Sequence, residues 1–320
     1  MIKAVPDAFA GDRQALVRLK AAALNHRDLW IQLGQYANIK VPAILGSDGS
    51  GTVAAVGSDV DGSWLGQEVM INPSLDWGAD QRAQGSGFRI LGMPDDGTFA
   101  EAIAVPVGNL VVRPAHLTME QAAALPLAGL TAWRALFARG KLQAGENVLI
   151  TGVGGGVALL ATQFALAAGA TVHVTSGSAE KLKRAQGIGA AGGALYREPD
   201  WAAKLRRQAG LFDLVVDSAM GVGLEELIEL TRPGGRIVFY GASTGNPPGF
   251  DARKVFFRQI ALLGTTMGSP ADFAAMVRLV EGRRIVPVID STLPLDQADD
   301  ALRRMETSSQ FGKIVLTVGC

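Results

Sequence analysis

A glycine-rich turn between a predicted strand and a predicted helix restricts the folds open to this chain more than any other feature. The turn reads GVGGGVA over residues 152–158 and follows the apolar run NVLIT at 147–151. A Gly/Ala-rich apolar helix is predicted directly after it, ending near Ala168. This order is typical of the first strand–helix–strand unit of a parallel sheet that carries helices on both faces.

Strand–helix alternation continues after that turn. Strands are predicted at 171–175, 213–217, 236–240 and 260–264, and helices near 179–186 and 270–281. We therefore predict an α/β chain with a doubly wound Rossmann domain over residues 117–267.

The flanking residues, 1–116 and 268–320, are predicted to form a second, β-rich domain. Short apolar runs at 15–19 and 51–56 suit its strands, and the closing run at 313–318 is a strand that returns to it. The polar, glycine-rich segment 75–97 has no clear period, which predicts an exposed loop.

Charge and cysteine content exclude several classes of protein. The 320 residues carry 30 basic and 30 acidic side chains with no basic stripe, which argues against nucleic acid or a membrane surface as a partner. The one cysteine, Cys320, allows neither an internal disulfide nor a cysteine-based zinc site, and we expect it to lie in a frayed terminus. Residues 1–10 lack the apolar segment of a signal peptide, so a cytoplasmic protein is expected.

The glycine turn has the sequence context of a dinucleotide-binding site. Glycine lets the backbone approach a pyrophosphate, and the N–H groups of a helix N-terminus face its negative charge. The expected contacts are Gly152, Gly154, Gly155, Gly156 and Val157. The alternative is a helix end packed tightly against the sheet without a ligand.

The end of the second Rossmann strand indicates which dinucleotide binds. An NAD site usually has an acid there to hold the ribose 2′-hydroxyl. This chain instead has Ser176 and Ser178, with Glu180 and Lys181 already in the next helix. Small hydroxyl side chains and a cation suit a 2′-phosphate, which predicts NADPH. A solvated helix surface is the alternative for Lys181.

With these motifs in order, the chain resembles the medium-chain dehydrogenase/reductase superfamily over nearly its whole length. The resemblance rests on NHRDL at 25–29, GSDGSG at 46–51, ALP at 124–126, GLTAW at 129–133, the glycine turn, and FGKIV at 311–315. It implies a GroES-like β-rich catalytic domain, a substrate cleft beside the Rossmann domain, and a homodimer formed through the strand near 260–264.

Within this superfamily, the chain is similar to the zinc-type alcohol dehydrogenases but lacks their metal ligands. Asn25 stands where those enzymes have a cysteine, and Ser47 and Asp48 stand where they have His-Glu. The lobe that would hold a structural zinc is shortened to residues 77–88 and has no cysteine. We therefore expect no metal site, and the three histidines are expected to be ordinary surface or packed residues.

The pattern resembles the zinc-free quinone oxidoreductase branch instead. There an Asn-x-x-Asp pair opens the substrate cleft, and Ser-x-x-Lys with a Tyr-Arg-Glu segment holds the 2′-phosphate of NADPH. By this resemblance Lys181 and Tyr196 are phosphate contacts. Gly241 and Thr266 are further expected cofactor contacts.

Without a metal, donors near the substrate oxygen must stabilise the charge that hydride transfer creates. Asn25 offers an amide, or is a turn residue that bonds its own backbone; Thr131 offers a hydroxyl, or bonds back to its helix. Tyr36 is a candidate proton donor by its similarity to 2-enoyl thioester reductases, or simply lines the cleft. Trp30 is expected to form a cleft wall, and Asp28 to bond backbone groups with an ordinary, low pKa.

These inferences predict hydride transfer from NADPH to a quinone or an α,β-unsaturated carbonyl compound. An NADP-linked alcohol dehydrogenase acting without zinc and a 2-enoyl thioester reductase remain as alternatives. A protein that binds NADPH without turning it over is the alternative from another class.

Overall fold

The computed structural model describes residues 3–319, so Cys320 lies outside the described residues together with Met1 and Ile2. The chain divides into two compact units. The first contains the described residues up to Leu130 and those from Gly268 onward, and the second covers Thr131–Met267.

The N-terminal part of the first unit is mostly strand. Its elements are β1 (Gln14–Ala23), α1 (His26–Gln32), β2 (Asp48–Val56), β3 (Glu68–Ile71), β4 (Ser74–Leu75), β5 (Arg89–Ile90), β6 (Ala102–Pro106), β7 (Leu110–Val112), α2 (Met119–Ala123) and α3 (Pro126–Trp133), the last of which runs into the second unit.

The second unit alternates strand and helix. A π-helical turn (Arg134–Arg139) is followed by β8 (Asn147–Ile150), α4 (Gly156–Ala167), β9 (Thr171–Ser176), α5 (Ala179–Gly187), β10 (Gly192–Leu195), α6 (Trp201–Ala209), β11 (Phe212–Asp217), α7 (Leu224–Leu230), β12 (Thr231–Phe239), α8 (Ala252–Phe257) and β13 (Ala261–Gly264). The chain then completes the first unit with α9 (Pro270–Arg283), β14 (Ile289–Pro294), α10 (Ala298–Glu306) and β15 (Lys313–Thr317).

The first unit is built on a seven-stranded sheet whose central strand is β1. The order is β14-β15-β1-β2-β3-β7, with β6 paired to the early half of β1. Because β15 pairs with the late half of β1, the strand predicted at the C-terminal end does return to this unit. Alternate residues of β1, among them Val17 and Leu19, point into an apolar core with Val53 and Val69.

The second unit is a six-stranded parallel sheet in the order β10-β9-β8-β11-β12-β13. This is the doubly wound order 3-2-1-4-5-6 of a Rossmann domain. Its strands are buried apolar runs, since helices cover both faces, and Val148, Val172 and Val215 are fully buried. The predicted α/β class, with a Rossmann sheet and a β-rich partner unit, is confirmed.

The boundary between the two units differs from the sequence prediction. The second unit begins at 131 rather than 117, because α2 packs on the sheet of the first unit. Ala123 packs with Ala21 and Ala23, and Ser50 Oγ donates to the Met119 carbonyl at 2.6 Å.

The segment 75–97 is only partly the exposed loop that its polarity predicts. Residues 78–87 are exposed, but Trp77 is buried with its ring edge-on to Phe88 at 5.4 Å. Arg89 binds the carboxylates of Asp76 and Asp95. The lobe therefore contains aromatic packing and ion pairs, neither of which has a sequence period.

Among residues 3–319, no helix has both the length and the apolar character needed to span a membrane. The apolar run that follows the glycine turn forms α4, which has 12 residues.

Candidate functional site

The glycine turn, residues 152–158, lies at the carboxyl end of β8, and we call it the glycine cradle. Gly152 and Gly154 have φ values of +67° and +136°, which L-residues rarely adopt. A Cβ on Gly154 would lie 2.9 Å from a side-chain carbon of Lys181, so the Lys181 side chain reaches over this glycine. Gly155 is the N-cap of α4 and has no side chain to cap the first N–H groups of the helix. The start of α4 thus places the positive end of a helix dipole at this turn.

The end of β9 lies beside two further polar side chains. Because β10 pairs with β9 in parallel, with Leu195 opposite Ser176, the next two residues of the chain arrive over Gly177. A Cβ on Gly177 would lie 2.8 Å from the hydroxyl of Tyr196 and 3.0 Å from Nε of Arg197. The register of the sheet therefore gathers a phenol and a guanidinium at the point where an NAD site usually has an acid.

The hydroxyl groups predicted for this site also shape the local chain. Ser176 Oγ accepts from Ser178 N at 3.2 Å, and Ser178 caps α5 by accepting from Lys181 N at 3.4 Å. Glu198 is exposed and bound by Lys204 Nζ at 3.2 Å. The charged side chains facing Gly154 and Gly177 are those of Lys181 and Arg197, which suits a phosphate group.

The other predicted cofactor contacts lie near the same edge of the sheet. Val157 is in the first turn of α4, and Gly241 follows β12, where a Cβ would lie 2.9 Å from the carbonyl oxygen of Ser218. Thr266 is exposed just after β13. The carboxyl ends of parallel strands are where such sheets bind nucleotides, so the residues present fit a nicotinamide dinucleotide.

Sequence reasoning missed Arg197 as a site residue. Its signal was available, because it lies between Tyr196 and Glu198 in the segment that resembles the NADPH-binding pattern. Only the register of β10 on β9 shows that its side chain reaches Gly177.

The first unit contains a buried polar cluster, which we define as Asn25, Arg27, Asp28, Ser47, Asp48 and Lys313. Three adjacent strands bring it together. Asp48 at the start of β2 pairs with Ala23 of β1, and Leu24 N bonds the carbonyl of Ile314 in β15 at 3.0 Å. This register brings residues that are far apart in the sequence to the carboxyl end of β1.

Lys313 and Asp48 form a buried ion pair within this cluster. Their side chains are 4% and 0% exposed, and Lys313 Nζ lies 2.9 Å from Asp48 Oδ2. The ammonium also donates to the carbonyl of Leu24 at 2.6 Å and to Asn25 Oδ1 at 2.7 Å. Asp48 Oδ1 accepts from Leu127 N at 2.7 Å. A buried charge pair is tolerated when its remaining donors and acceptors are satisfied in this way.

Asn25 uses its amide on this ion pair. Its Nδ2 donates to Asp48 Oδ2 at 2.9 Å while its Oδ1 accepts from Lys313. The backbone N–H of Asn25 is bound by Asp28 Oδ2 at 2.8 Å, which closes the first turn of α1. The side chain is therefore directed into the cluster and is 7% exposed.

Arg27 connects the cluster with Tyr36. Its guanidinium donates to Ser47 Oγ at 2.7 Å and to the carbonyls of Leu91 and Met93 at 2.8 and 3.1 Å. The same group lies 5.2 Å from the centre of the Tyr36 ring, a cation–π distance. Tyr36 is partly buried, and the cation beside its ring is buried. Neither Arg27 nor Lys313 is among the predicted site residues, although both lie in segments, NHRDL and FGKIV, that carry the family resemblance.

Asp28 is fully buried and accepts from Asn25 N and, at 3.4 Å, from Gly46 N. Burial raises the pKa of its carboxyl to about 6, although the Asn25 N–H and the cations of Arg27 and Lys313 oppose the shift. The expectation of an ordinary pKa is wrong, because nothing in the sequence shows that this side chain loses all contact with water.

The donor atoms of the cluster do not fit a zinc ion. Protein zinc sites use cysteine, histidine and carboxylate ligands, three or four at a time. Asn25 offers an amide and Ser47 a hydroxyl, and both oxygens of Asp48 already accept hydrogen bonds, one of them from an ammonium. Within the described part of the chain, no three His, Cys, Asp or Glu side chains lie close enough together to hold a metal.

The remaining predicted residues are placed as follows. Trp30 is partly buried on α1, with its ring 6.0 Å from that of His26. Thr131 lies in α3 and is 5% exposed. It belongs to the second unit, and its role beside Asn25 stays a prediction.

Comparison with known proteins identifies both units. Residues 11–115 match the alcohol dehydrogenase GroES-like domain, and residues 156–282 match the zinc-binding dehydrogenase family. A zinc-type alcohol dehydrogenase-like protein of Schizosaccharomyces pombe is 36% identical over 95% of this chain and 91% of its own length. The related protein YogA of Leptosphaeria maculans is 33% identical over 96% of this chain and 91% of its own.

Solved structures agree with this. A crystal structure of an NAD-dependent alcohol dehydrogenase has a TM-score of 0.94 and 40% identity, covering 99% of this chain and 95% of that one. A 2-octenoyl-CoA carboxylase reductase, CinF, in complex with NADP and 2-octenoyl-CoA, has a TM-score of 0.86 and 26% identity, covering 98% and 81%. The chain is therefore an oxidoreductase of the medium-chain dehydrogenase/reductase superfamily and belongs to its zinc-type alcohol dehydrogenase-like family.

Proposed function

We propose that this chain reduces a quinone or an α,β-unsaturated carbonyl compound with NADPH and without zinc. The observation that carries the proposal is the buried polar cluster. A lysine ammonium is bound to Asp48, and Asn25 has an amide N–H available for a substrate oxygen. This amide N–H can stabilise negative charge on the substrate oxygen, as a Lewis-acidic metal does in metal-dependent relatives.

The cations at Gly154 and Gly177 support the choice of NADPH. Lys181 and Arg197, together with the Tyr196 hydroxyl, suit a 2′-phosphate, whereas no carboxylate faces Gly177 among the contacts described there. When bound, the nicotinamide supplies the hydride. Among solved relatives, CinF was crystallised with NADP, while the alcohol dehydrogenase with a TM-score of 0.94 is NAD-dependent.

In the proposed reaction Asn25 binds the acceptor oxygen and stabilises the negative charge that develops there. An amide N–H can donate to an enolate or phenolate oxygen without giving up its proton. Thr131 is the second proposed donor. Trp30, which packs beside His26 on α1, is proposed to contact the acceptor ring.

A second candidate activity is the reduction of a 2-enoyl thioester, with Tyr36 as the proton donor. The position of Arg27 over the Tyr36 ring favours it, because a fixed cation orients the phenol. The bound 2-octenoyl-CoA of CinF makes this substrate class chemically reasonable for the family. Tyr36→Phe should then lower the turnover of crotonyl-CoA more than that of 1,4-naphthoquinone, which needs no carbon-bound proton.

We also propose a homodimer that pairs through β13. This strand is an edge of the six-stranded sheet, and its residues are exposed or half-buried. Unpaired edge strands readily take up a second strand. Light scattering should give twice the mass of one chain, and Leu262→Pro should shift the protein toward monomer.

The deciding experiment uses protein treated with a chelator. Its affinity for NADPH and NADH is measured by fluorescence titration, and oxidation of bound NADPH by 1,4-naphthoquinone or an enone is followed by stopped flow. Tighter binding of NADPH with rapid oxidation, unchanged by added zinc, is expected. Tight binding without oxidation by any acceptor indicates a binding protein, and rapid oxidation of simple alcohols with NADP indicates an alcohol dehydrogenase.

A further inference from the structure

The amide of Asn25 is held in one orientation by two neighbours of opposite character. A lysine ammonium can only donate, and an ionised carboxylate can only accept. Asn25 must therefore turn Oδ1 toward Lys313, at 2.7 Å, and Nδ2 toward Asp48, at 2.9 Å. The reverse orientation would place donor against donor and acceptor against acceptor.

This orientation leaves one hydrogen of Nδ2 uncommitted. Among residues 3–319 the structure gives the Nδ2 of Asn25 a single acceptor, Asp48 Oδ2. Lys313 has no corresponding freedom, because its three donors are used on Leu24 O, Asn25 Oδ1 and Asp48 Oδ2. Lys313 therefore has no N–H left to donate to a substrate, and one of its three bonds holds Asn25.

We propose that Lys313 is a positioning residue for the reaction: its ammonium, held by Asp48, fixes the Asn25 amide so that the free Nδ2–H donates to the substrate oxygen. This inference rests on the proposed function. The ammonium at Oδ1 also withdraws electrons from the amide, which makes the free N–H a stronger donor.

A double substitution separates this role from simple stabilisation. Lys313→Met alone leaves the Asp48 charge buried without its partner, so the protein loses stability. Adding Asp48→Asn removes that charge. Leu127 N already binds Oδ1 at this position, so the new amide must turn its NH₂ toward Asn25. The Asn25 amide then has to flip, so that Oδ1 takes the position of Nδ2 and no N–H donor faces the substrate oxygen.

The kinetic experiment compares wild type, Lys313→Met and Lys313→Met/Asp48→Asn. Lys20→Met, an exposed lysine on β1, is the matched control. We expect kcat for 1,4-naphthoquinone to fall about 100-fold in the double variant, as for loss of one oxyanion donor, and by less in Lys313→Met, where Asp48 still accepts from Asn25 Nδ2. The urea midpoint should drop in the single variant and recover in the double variant. NADPH binding should be unchanged in all. Recovery of kcat together with stability would overturn the proposal.

A second measurement reports the amide itself. Protein labelled with ¹⁵N at asparagine is studied by NMR, and the Asn25 side-chain signal is assigned by its loss in Asn25→Ala. In wild type, one Nδ2 proton should shift on adding 1,4-naphthoquinone to the NADP⁺ complex, and neither should shift in the double variant. Identical Asn25 signals in wild type and both variants would overturn the proposal. If wild type oxidises no NADPH, the proposed function fails, while the ligand-free signals still decide whether Lys313 fixes the amide.

Discussion

The buried polar cluster of the first unit and the glycine cradle of the second unit differ in how their polar groups are bonded. In the cluster nearly every polar atom is bound by another part of the chain, and Asp28, Asp48 and Lys313 are almost without contact with water. In the cradle, the start of α4 has no capping side chain, and glycines at positive φ keep the space above it open. Most polar atoms of the first region are bonded within the protein, whereas the second region places an uncapped helix N-terminus beside an open turn.

Because of this difference, substitutions in the two regions should affect different measured quantities. A change in the cluster breaks contacts within the protein, so its effect appears first in the free energy of unfolding. A change in the cradle removes contacts with the dinucleotide, so its effect appears in the dissociation constant. Four predictions test this division, beginning with the largest expected effect.

Lys313→Met should lower the free energy of unfolding by about 3–5 kcal/mol, because it leaves the carboxylate of Asp48 buried without its cation. Urea unfolding at pH 7 measures the change. The exposed control Lys20→Met should stay within about 0.5 kcal/mol of wild type. A loss of less than about 1 kcal/mol in Lys313→Met would mean that water reaches Asp48.

The stability of wild type should fall as the pH rises through the pKa of Asp28. Burial raises this pKa from 3.8 to about 6, so the folded state prefers the protonated form. This preference contributes about 2–3 kcal/mol to the free energy of unfolding, which is fully present below pH 4 and is lost by about pH 6. Relative to Asp28→Asn, which does not titrate at this position, the unfolding free energy of wild type should fall by this amount over the range. A constant difference would show that Asp28 is ionised at an ordinary pH.

Lys181→Ala and Arg197→Ala should each weaken NADPH binding by about 10- to 100-fold, the value of one charge-assisted hydrogen bond of about 1.5–3 kcal/mol. NADH binding should change little, because it lacks the 2′-phosphate. Fluorescence titration measures both constants. Lys183→Ala, an exposed lysine of α5, is the control. Equal losses for the two dinucleotides would place these cations elsewhere than at the 2′-phosphate.

Gly154→Ala should cost on the order of 1 kcal/mol of stability, because its φ of +136° suits only glycine and the new Cβ would press on Lys181. Gly155→Ala, at an ordinary φ of −77°, should leave stability nearly unchanged. Both should weaken NADPH and NADH alike, since a methyl group intrudes on the pyrophosphate position. Thermal unfolding and titration distinguish strain from lost binding.

Much of the Rossmann unit could be predicted, because its signals are local. The strand, the glycine turn and the helix lie within some 20 residues, and apolar runs alternating with helical stretches define a parallel sheet. Boundaries were less accurate. Residues 117–130 belong with the first unit because α2 packs on β1, a contact that no periodicity reveals.

The lobe at 75–97 and the pKa of Asp28 could not be predicted for a related reason. Trp77 and Arg89 sit among glycines and charges that resemble a solvated loop, and only the structure shows their partners Phe88, Asp76 and Asp95. For Asp28, the position in an Asn-x-x-Asp motif gave no measure of how deeply it lies.

The sequence by itself determined the fold class and the glycine turn between β8 and α4, since each depends on residue types at short spacing. The tertiary structure alone decided which side chains form the buried polar cluster. Asn25 and Lys313 are 288 positions apart, and they meet only because β15 returns to pair with β1. A hydrogen-bond network between distant strands leaves no periodic signal, so its existence depends on strand register and burial.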